Sequence, residues 1–471
     1  WHKMHDTMIM YNMLYPGDPA GLKHVTDKHI DPRASVGQQL LDNAFKKNGW
    51  TWANIPLDFE AYWTYSALDP ILAAHIFDYL RADLKFPASY DLEMSVLRIC
   101  NDMEHNGIPV DVDFCKEQSV KLDEYVEKAK KWALDEFGVK IGSTQSLAKF
   151  LENDLGAEIV KRTPKDAPSV DKETLALLAN SDNKSVAEFA KFVVEVRTAD
   201  KIRSSYLDNF IKDQTNGLLH PGIKTMRAKT GRMSIVNPAL QTLGKSGAHN
   251  VVRSAITARP GEVLASADLD QVEFRVFAHL SRDEALINTF LEADISGGDA
   301  FTTIGANVYD EPNFVKADPR RSLIKSLIYG KLYGAGVAKM AETAGVPIDK
   351  MQQASDDLNA AYPGMKTYSK EVEQMINNRL HMEGVPYIET VLTGRKIPVE
   401  PDRIYSGLNY TIQGSAAEVF KMNLVKIDAA GLGQNLVVPV HDEIVFSGPP
   451  EDIEDIKQTI KERKHATEMR H

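Results

Sequence analysis

VVPVHDEIVF, running from Val437 to Phe446, reads as an apolar β-strand, a short break and a second strand. At the break Asp442 and Glu443 stand side by side, preceded by His441. Withdrawing a carboxylate from water costs on the order of several kcal/mol unless a metal or another cation compensates it. The break is therefore either a plain solvent-facing turn or a place that presents charge to a ligand. The rest of the chain must discriminate.

A second acid stands in a similar place. EVLASADL (262–269) reads as an apolar strand that runs into the helix DQVEFRVFAHLS, with Asp268 where the strand ends. Alone, Asp268 would serve as a helix N-cap. Beside Asp442 it offers a second carboxylate at a second strand end. Two such groups converging from neighbouring strands could hold two Mg²⁺ ions about 3.5–4 Å apart, as in-line phosphoryl displacement requires. Mg²⁺ needs only one or two carboxylates, because phosphate oxygens and water complete its shell.

RRSLIKSLIYGKLYGAG (320–336) supplies a third element. On a helix, Arg321, Lys325, Tyr329 and Tyr333 recur every four residues and form one drifting stripe, while Leu323, Ile324 and Leu327 face away. Two cations followed by two rings suit a triphosphate at one end and a base and sugar at the other. The plainer alternative is a solvated amphipathic face.

Composition sets the frame. A chain of 471 residues calls for more than one lobe, and 43% hydrophobic with 26% charged residues is globular. No apolar run reaches the roughly 18 residues of a membrane span. Two cysteines, Cys100 and Cys115, exclude a disulfide framework and a four-cysteine metal site, and suit a reducing cytosol. The net charge of −11 argues mildly against nucleic acid. Yet Gln214–Gly261 holds no acid and carries Lys224, Arg227, Lys229, Arg232, Lys245, Arg253 and Arg259. Such a window is either a phosphate-tracking surface or a solvated basic loop. GKS at 244–246 fails as a phosphate-binding loop, since its first glycine would fall at Ala239. Residues 1–87 end in the helix YSALDPILAAHIFDYLRADL, KFPASY reads as a linker, and about 115–215 is helical and charge-rich, with Lys128, Lys130 and Lys131 on a solvated face. GVPYIETVLTGRKIP reads as a β-hairpin turning at Thr393-Gly394, followed by a helix from about 406 to 430.

DLDQVEFR (268–275), RRSLIKSLIYGKLYG (320–334) and HDE (441–443) resemble, in order, the three polymerase motifs of family A DNA polymerases. TGRMS with NPALQTL (230–243) and YTIQGSAAEVFK (410–421) resemble further family segments, so the similarity runs from about residue 90 onward. It implies an α+β, multidomain right hand of palm, fingers and thumb with an antiparallel palm sheet. Part of an RNase H-like 3′–5′ exonuclease domain would precede it over residues 1–88. The thumb would span about 115–215, the palm about 220–285 and 385–471, and the fingers about 286–384.

The resemblance also implies roles. Asp268, Asp442 and the backbone carbonyl of Leu269 would hold two Mg²⁺ ions, which Mn²⁺ can replace, with Glu443 close by. Arg321 and Lys325 would neutralise the triphosphate, Tyr329 would pack on sugar and base, and Tyr333 would help hold the template position. Arg232, Gln241, Gln413 and His441, with Arg253, would contact primer–template DNA near the primer terminus. Minor-groove acceptors differ little among correct pairs, so donors there check shape without reading sequence. Glu273 would exclude a 2′-hydroxyl and select dNTPs.

The chain departs from the family pattern in several places, among them Ala417-Glu418 for the usual alanine-aspartate and Tyr329 where many bacterial members have Phe. Leu269 and Asp270 replace the usual Tyr and Ser, which adds an acid near the metals, and a triphosphate-binding histidine falls on Phe301. Tyr65 and Asp69 match the last exonuclease motif, whose partner motifs are not in the sequence before it, so the chain as it stands is expected to lack proofreading. The opening HDTMIMYNMLYPG most resembles bacteriophage members, which implies a monomeric replication enzyme of the bacterial cytoplasm during phage infection, with no membrane association and no indicated accessory partner. The alternatives are a single-subunit RNA polymerase, whose third motif typically reads His-Asp-Ser, and a non-catalytic primer–template-binding relative, which would lack Asp268, Asp442 or Lys325.

Overall fold

A computed structural model describes residues 4–85, 87–243 and 247–468. The GKS triplet at 244–246, with Lys245 of the basic window, lies outside the described residues. At the centre is a three-stranded antiparallel sheet in which Glu443–Gly448 lies between Val263–Asp268 and Leu436–Val440. Asp268 and Val440 both pair with Glu443, so the two strand ends meet at that residue. His441 and Asp442 form a two-residue loop, and His441 takes φ +58°, a left-handed value of the kind tight hairpins require.

VVPV is continuously apolar because both faces of the sheet are covered. On one face Ile444 and Phe446 pack with Ile99 and Cys100 of the helix Ala88–Asn106, Phe420 and Leu424 of the helix Ser406–Ile427, and Ile456 and Ile460 of the helix Ile453–Glu468. On the other, Val437 and Val438 pack with Leu219, Ile235 and Val252.

The helix Pro319–Leu332 begins with Asp318, whose side chain accepts from Arg320 N, and with proline in its first turn. Its Leu323, Ile324, Leu327 and Ile328 are buried with Phe274, Phe290, Met351 and Ile376 of neighbouring helices. The expected inward face is therefore the one that packs. A separate apolar cluster joins the helices Val112–Phe137 and Lys184–Ile202. On the first of these, Lys128 pairs with Glu124 and Lys130 with Glu127, as a solvated face should.

Two readings need correction. The expected linker is shorter than KFPASY, because the next helix already begins at Ala88. Asp268 does not cap the helix after it. That helix starts at Val272, with Gln271 in the N-cap position at φ +50°.

The N-terminal lobe packs Met10, Tyr11, Val25, Ile76 and Leu80 together. At its rim Asp18 accepts from the Tyr11 hydroxyl and pairs with Lys28 and His24, which together hold its carboxyl down at about 2 against an ordinary 3.8. A depressed carboxyl stabilises the fold above its unfolded value and loses that contribution as pH falls through its folded one. We therefore expect Asp18→Asn to flatten the acid transition of this lobe between pH 4 and about pH 2, followed by emission of Trp50, Trp52 and Trp63. An unchanged transition would show that Asp18 contributes nothing there.

Candidate active site

Where the strand ending at Asp268 meets the His441–Asp442 loop, the amide of Leu269 donates to the carbonyl of Asp442 at 3.0 Å. This bond prolongs the ladder by one step and brings both aspartates to one edge of the sheet. The Leu269 side chain is buried beneath them, 4% exposed, in the cluster with Ile444 and Phe420. The tyrosine-to-leucine departure is thus a packing residue. In front of this edge opens a cleft of about 510 Å³. It is lined by Asp268, Leu269, Glu273, Asp442 and Glu443 from the sheet side, and by Lys325, Tyr329 and Tyr333 from the helix opposite. Arg232, Gln241, Arg253, Asp270 and His441 also line it.

Burial pushes the Asp442 carboxyl above its ordinary value, opposed by Arg232 and His441. Burial also raises the Tyr329 phenol, aided by the charges of Asp270, Asp442 and Asp268, so the ring faces the cleft as a neutral group. Tyr329 and Tyr333 stack with centroids 6.1 Å apart. Glu273, only 6% exposed, accepts from the Tyr333 hydroxyl at 3.0 Å and is ion-paired with Arg232. The Lys325 ammonium lies 5.9 Å from the Phe301 ring and 6.0 Å from that of Tyr329. The donors at the sheet edge are hard carboxylate and carbonyl oxygens, with both cysteines buried elsewhere, a set that fits Mg²⁺ or Mn²⁺.

Several expected residues sit otherwise. Arg321 does not line the cleft; both arms of its guanidinium hold Asp299, at 2.6 and 2.9 Å, at the start of the helix Ala300–Tyr309. Gln413 is half-buried on the helix Ser406–Ile427 and also lies outside the cleft lining. Gln241 lines it, yet its amide accepts from Ile235 N and donates to the Met233 carbonyl, so it braces that strand. His441 Nε2 is 3.1 Å from the Gln241 carbonyl. Phe301, where the family has a polar contact, is buried against Phe274 and Tyr329 and has no donor to offer.

Tyr65 and Asp69 lie together on the helix Glu60–Leu84, apart from the cleft lining. There Lys23 pairs with Asp69 and stands 4.7 Å over the Tyr65 ring. The basic window is partly neutralised from outside, Lys229 by Glu400 at 2.6 Å and Arg232 by Glu273.

Sequence reasoning missed Arg275. It is bidentate to Asp294 and also binds the carbonyl and carboxylate of Asp270, so the extra acid at the cleft is partly compensated. The Asp270-to-Arg275 spacing was visible, but the distant Asp294 was not.

Residues 112–470 match the family model described as DNA polymerase family A. The DNA polymerase of Mycobacterium phage D29 is 30% identical over 472 residues, covering 96% of this chain and 74% of that protein. The DNA polymerase of Mycobacterium phage L5 is 29% identical over 470 residues, with the same coverage. DNA polymerase I of Chloroflexus aurantiacus is 28% identical over 490 residues, covering 97% of this chain but 49% of its own length. A solved structure of the POL domain of Pol1 from M. smegmatis, in complex with DNA primer-template and dNTP, superposes with a TM-score of 0.77 at 22% identity, over 98% of this chain and 78% of that one. The chain belongs to DNA polymerase family A. It has that family's mixed helix-and-strand fold with antiparallel sheets, and it is an enzyme.

Proposed function

We propose that the cleft adds dNTPs to a primer 3′-hydroxyl on a DNA template by two-metal phosphoryl transfer. The observation that carries this reading is the Leu269–Asp442 hydrogen bond, which joins two acid-bearing strand ends in the cleft that Lys325 also lines. Divalent ions bound by Asp268, Asp442 and the Leu269 carbonyl would supply Lewis acidity to the attacking hydroxyl and the leaving pyrophosphate. Lys325 neutralises the triphosphate, a purely electrostatic service in phosphoryl transfer. Tyr329 packs on sugar and base, and Tyr333 holds the template position. Glu273 closes the space a 2′-hydroxyl would need. Arg232, Arg253 and His441 bear on the DNA near the primer terminus, while Gln241 acts by bracing the strand after Arg232. Arg321 reaches a triphosphate only by leaving Asp299, and Gln413 only through a rearrangement of the cleft wall.

In this reading the sheet and its covering helices are the palm (about 220–285 and 385–471). The cluster around Ile324 belongs to the fingers (about 286–384), and that around Val126 and Phe189 to the thumb (about 115–215). Residues 1–88 are the C-terminal part of an exonuclease-like domain. Tyr65 and Asp69 are the matching pair of its site, and the Lys23 ion pair neutralises Asp69. The phage relatives support a replicative role during infection of a bacterial cell, and no described helix is long and apolar enough to cross a membrane.

Extension of a 5′-labelled primer on a DNA template with Mg²⁺ tests this, with dNTPs and rNTPs run separately. We expect elongation with dNTPs and little with rNTPs, and gain of ribonucleotide addition in Glu273→Ala. Equal use of both by the wild type would favour the RNA polymerase reading. Tight primer–template binding without elongation would favour a non-catalytic relative. Primer shortening would show a working exonuclease.

A further inference from the structure

Behind the loop that carries Arg232 lies a layer of buried charge that the proposed reaction does not use. Arg395, on the hairpin formed by Tyr387–Glu389 and Lys396–Pro398, is 8% exposed. Its Nη2 donates to the Lys229 carbonyl at 2.7 Å, three residues before Arg232. Its guanidinium also fills the space beside Gly231. A Cβ there would overlap Arg395 Nη1, and Gly231 has φ +78°. The hairpin is in turn pinned to the helix Ser406–Ile427. Glu418 accepts from the Thr390 hydroxyl at 2.6 Å and from that of Thr393, and Ser415 accepts from Val391 N at 3.1 Å. Gly414 lets the two approach, for a Cβ there would lie 2.7 Å from Ile397.

A guanidinium so buried is costly to desolvate, and burial lowers its affinity for its proton against the opposing charges of Glu93 and Glu418. A methionine of similar length would fill the same volume without that cost. What the charged group adds is a donor directed at one carbonyl and a rigid plane against one glycine. Both contacts fall on the three residues that precede Arg232, the residue whose own guanidinium reaches Glu273 in the cleft.

We infer that Arg395 is a positioning residue for Arg232: it clamps Lys229 and Gly231 from behind and thereby sets where the Arg232 guanidinium meets the primer terminus. The inference rests on the DNA-contacting role proposed above for Arg232. It adds that the accuracy of this contact is set by the Tyr387–Pro398 hairpin, outside the cleft.

The test is a double-mutant cycle in the whole chain, read as the ratio of extension rates from matched and mismatched primer termini. Arg232→Ala and Arg395→Met are each expected to lower this ratio by about ten-fold, the scale of one charged hydrogen bond. The double variant should be no worse than Arg232→Ala alone, and Arg395→Lys, which keeps a donor near the Lys229 carbonyl, should recover part of the loss. Arg395→Gln, which is uncharged and too short to reach the Lys229 carbonyl, should reproduce the Arg395→Met ratio and stands in for it if that variant does not fold. Losses that multiply in the double variant would overturn the inference, as would an Arg395→Met enzyme of unchanged ratio beside an impaired Arg232→Ala. An unchanged Arg232→Ala ratio would overturn the proposed role of Arg232 and the inference with it.

Discussion

Asp442→Asn should add a nucleotide about a thousand times more slowly than wild type, the scale of losing a charge-stabilising group at a reacting centre, while still binding primer–template DNA. The substitution keeps the shape of the two-residue loop and the Leu269–Asp442 backbone bond, because that bond uses the carbonyl and not the side chain. It removes only the charge, so single-turnover extension and a filter-binding measurement on the same protein separate chemistry from docking. A variant that extends at the wild-type rate would refute the metal assignment while leaving polymerase activity in place. A variant that loses DNA binding as well would show that the charge shapes the site before any nucleotide arrives.

The largest expected effect on stability lies behind the cleft. Lys421 and Glu93 are ion-paired with side chains 1% and 3% exposed, tying the helix Ser406–Ile427 to the helix Ala88–Asn106. Burial drives the Lys421 ammonium toward its neutral form, with Glu93 foremost among the charges that oppose it. Lys421→Met keeps much of the volume but strands the Glu93 carboxylate, and breaking a buried pair in this way costs about 3–5 kcal/mol. Urea unfolding should register that loss, and Lys421→Met with Glu93→Leu should recover most of it, since two apolar groups need no partner. A single variant as stable as wild type would mean that the Arg395 guanidinium alone compensates the Glu93 charge.

The strand-break-strand at Val437–Phe446, the Asp268 strand and the inward face of the Pro319–Leu332 helix were legible because each is a local pattern of apolar spacing broken by charge. Lys325, Tyr329 and Tyr333 followed from helical periodicity, and the structure does set them along one wall of the cleft. Periodicity says which residues share a face; it does not say what faces them. Arg321 shares the stripe, yet Asp299 arrives from another helix and takes it. Gln241 has the chemistry of a DNA contact, yet its amide closes a backbone gap between Met233 and Ile235. Lys23 stands over Asp69 from 46 residues away, and nothing near either residue announces it. Arg395 and Lys421 were unreadable for a further reason. A buried cation looks in sequence like any surface arginine or lysine, and only the fold shows which of them has been taken from water.

The two aspartates that meet at the sheet edge are 174 positions apart, and the strand that joins them, Glu443–Gly448, is the final strand of the described chain. A ribosome making this protein releases the helical lobes long before the middle strand of the sheet exists, and domains emerging first tend to fold first. Until that strand inserts between its two neighbours, Asp268 stands alone at an open strand edge. The acid pair is thus assembled only after the strand Glu443–Gly448 has emerged, by the pairing of greatest sequence separation in the sheet, and such pairings form slowly. A chain halted just before Glu443 would hold Lys325 and Arg232 with no acid pair yet assembled in the cleft they line.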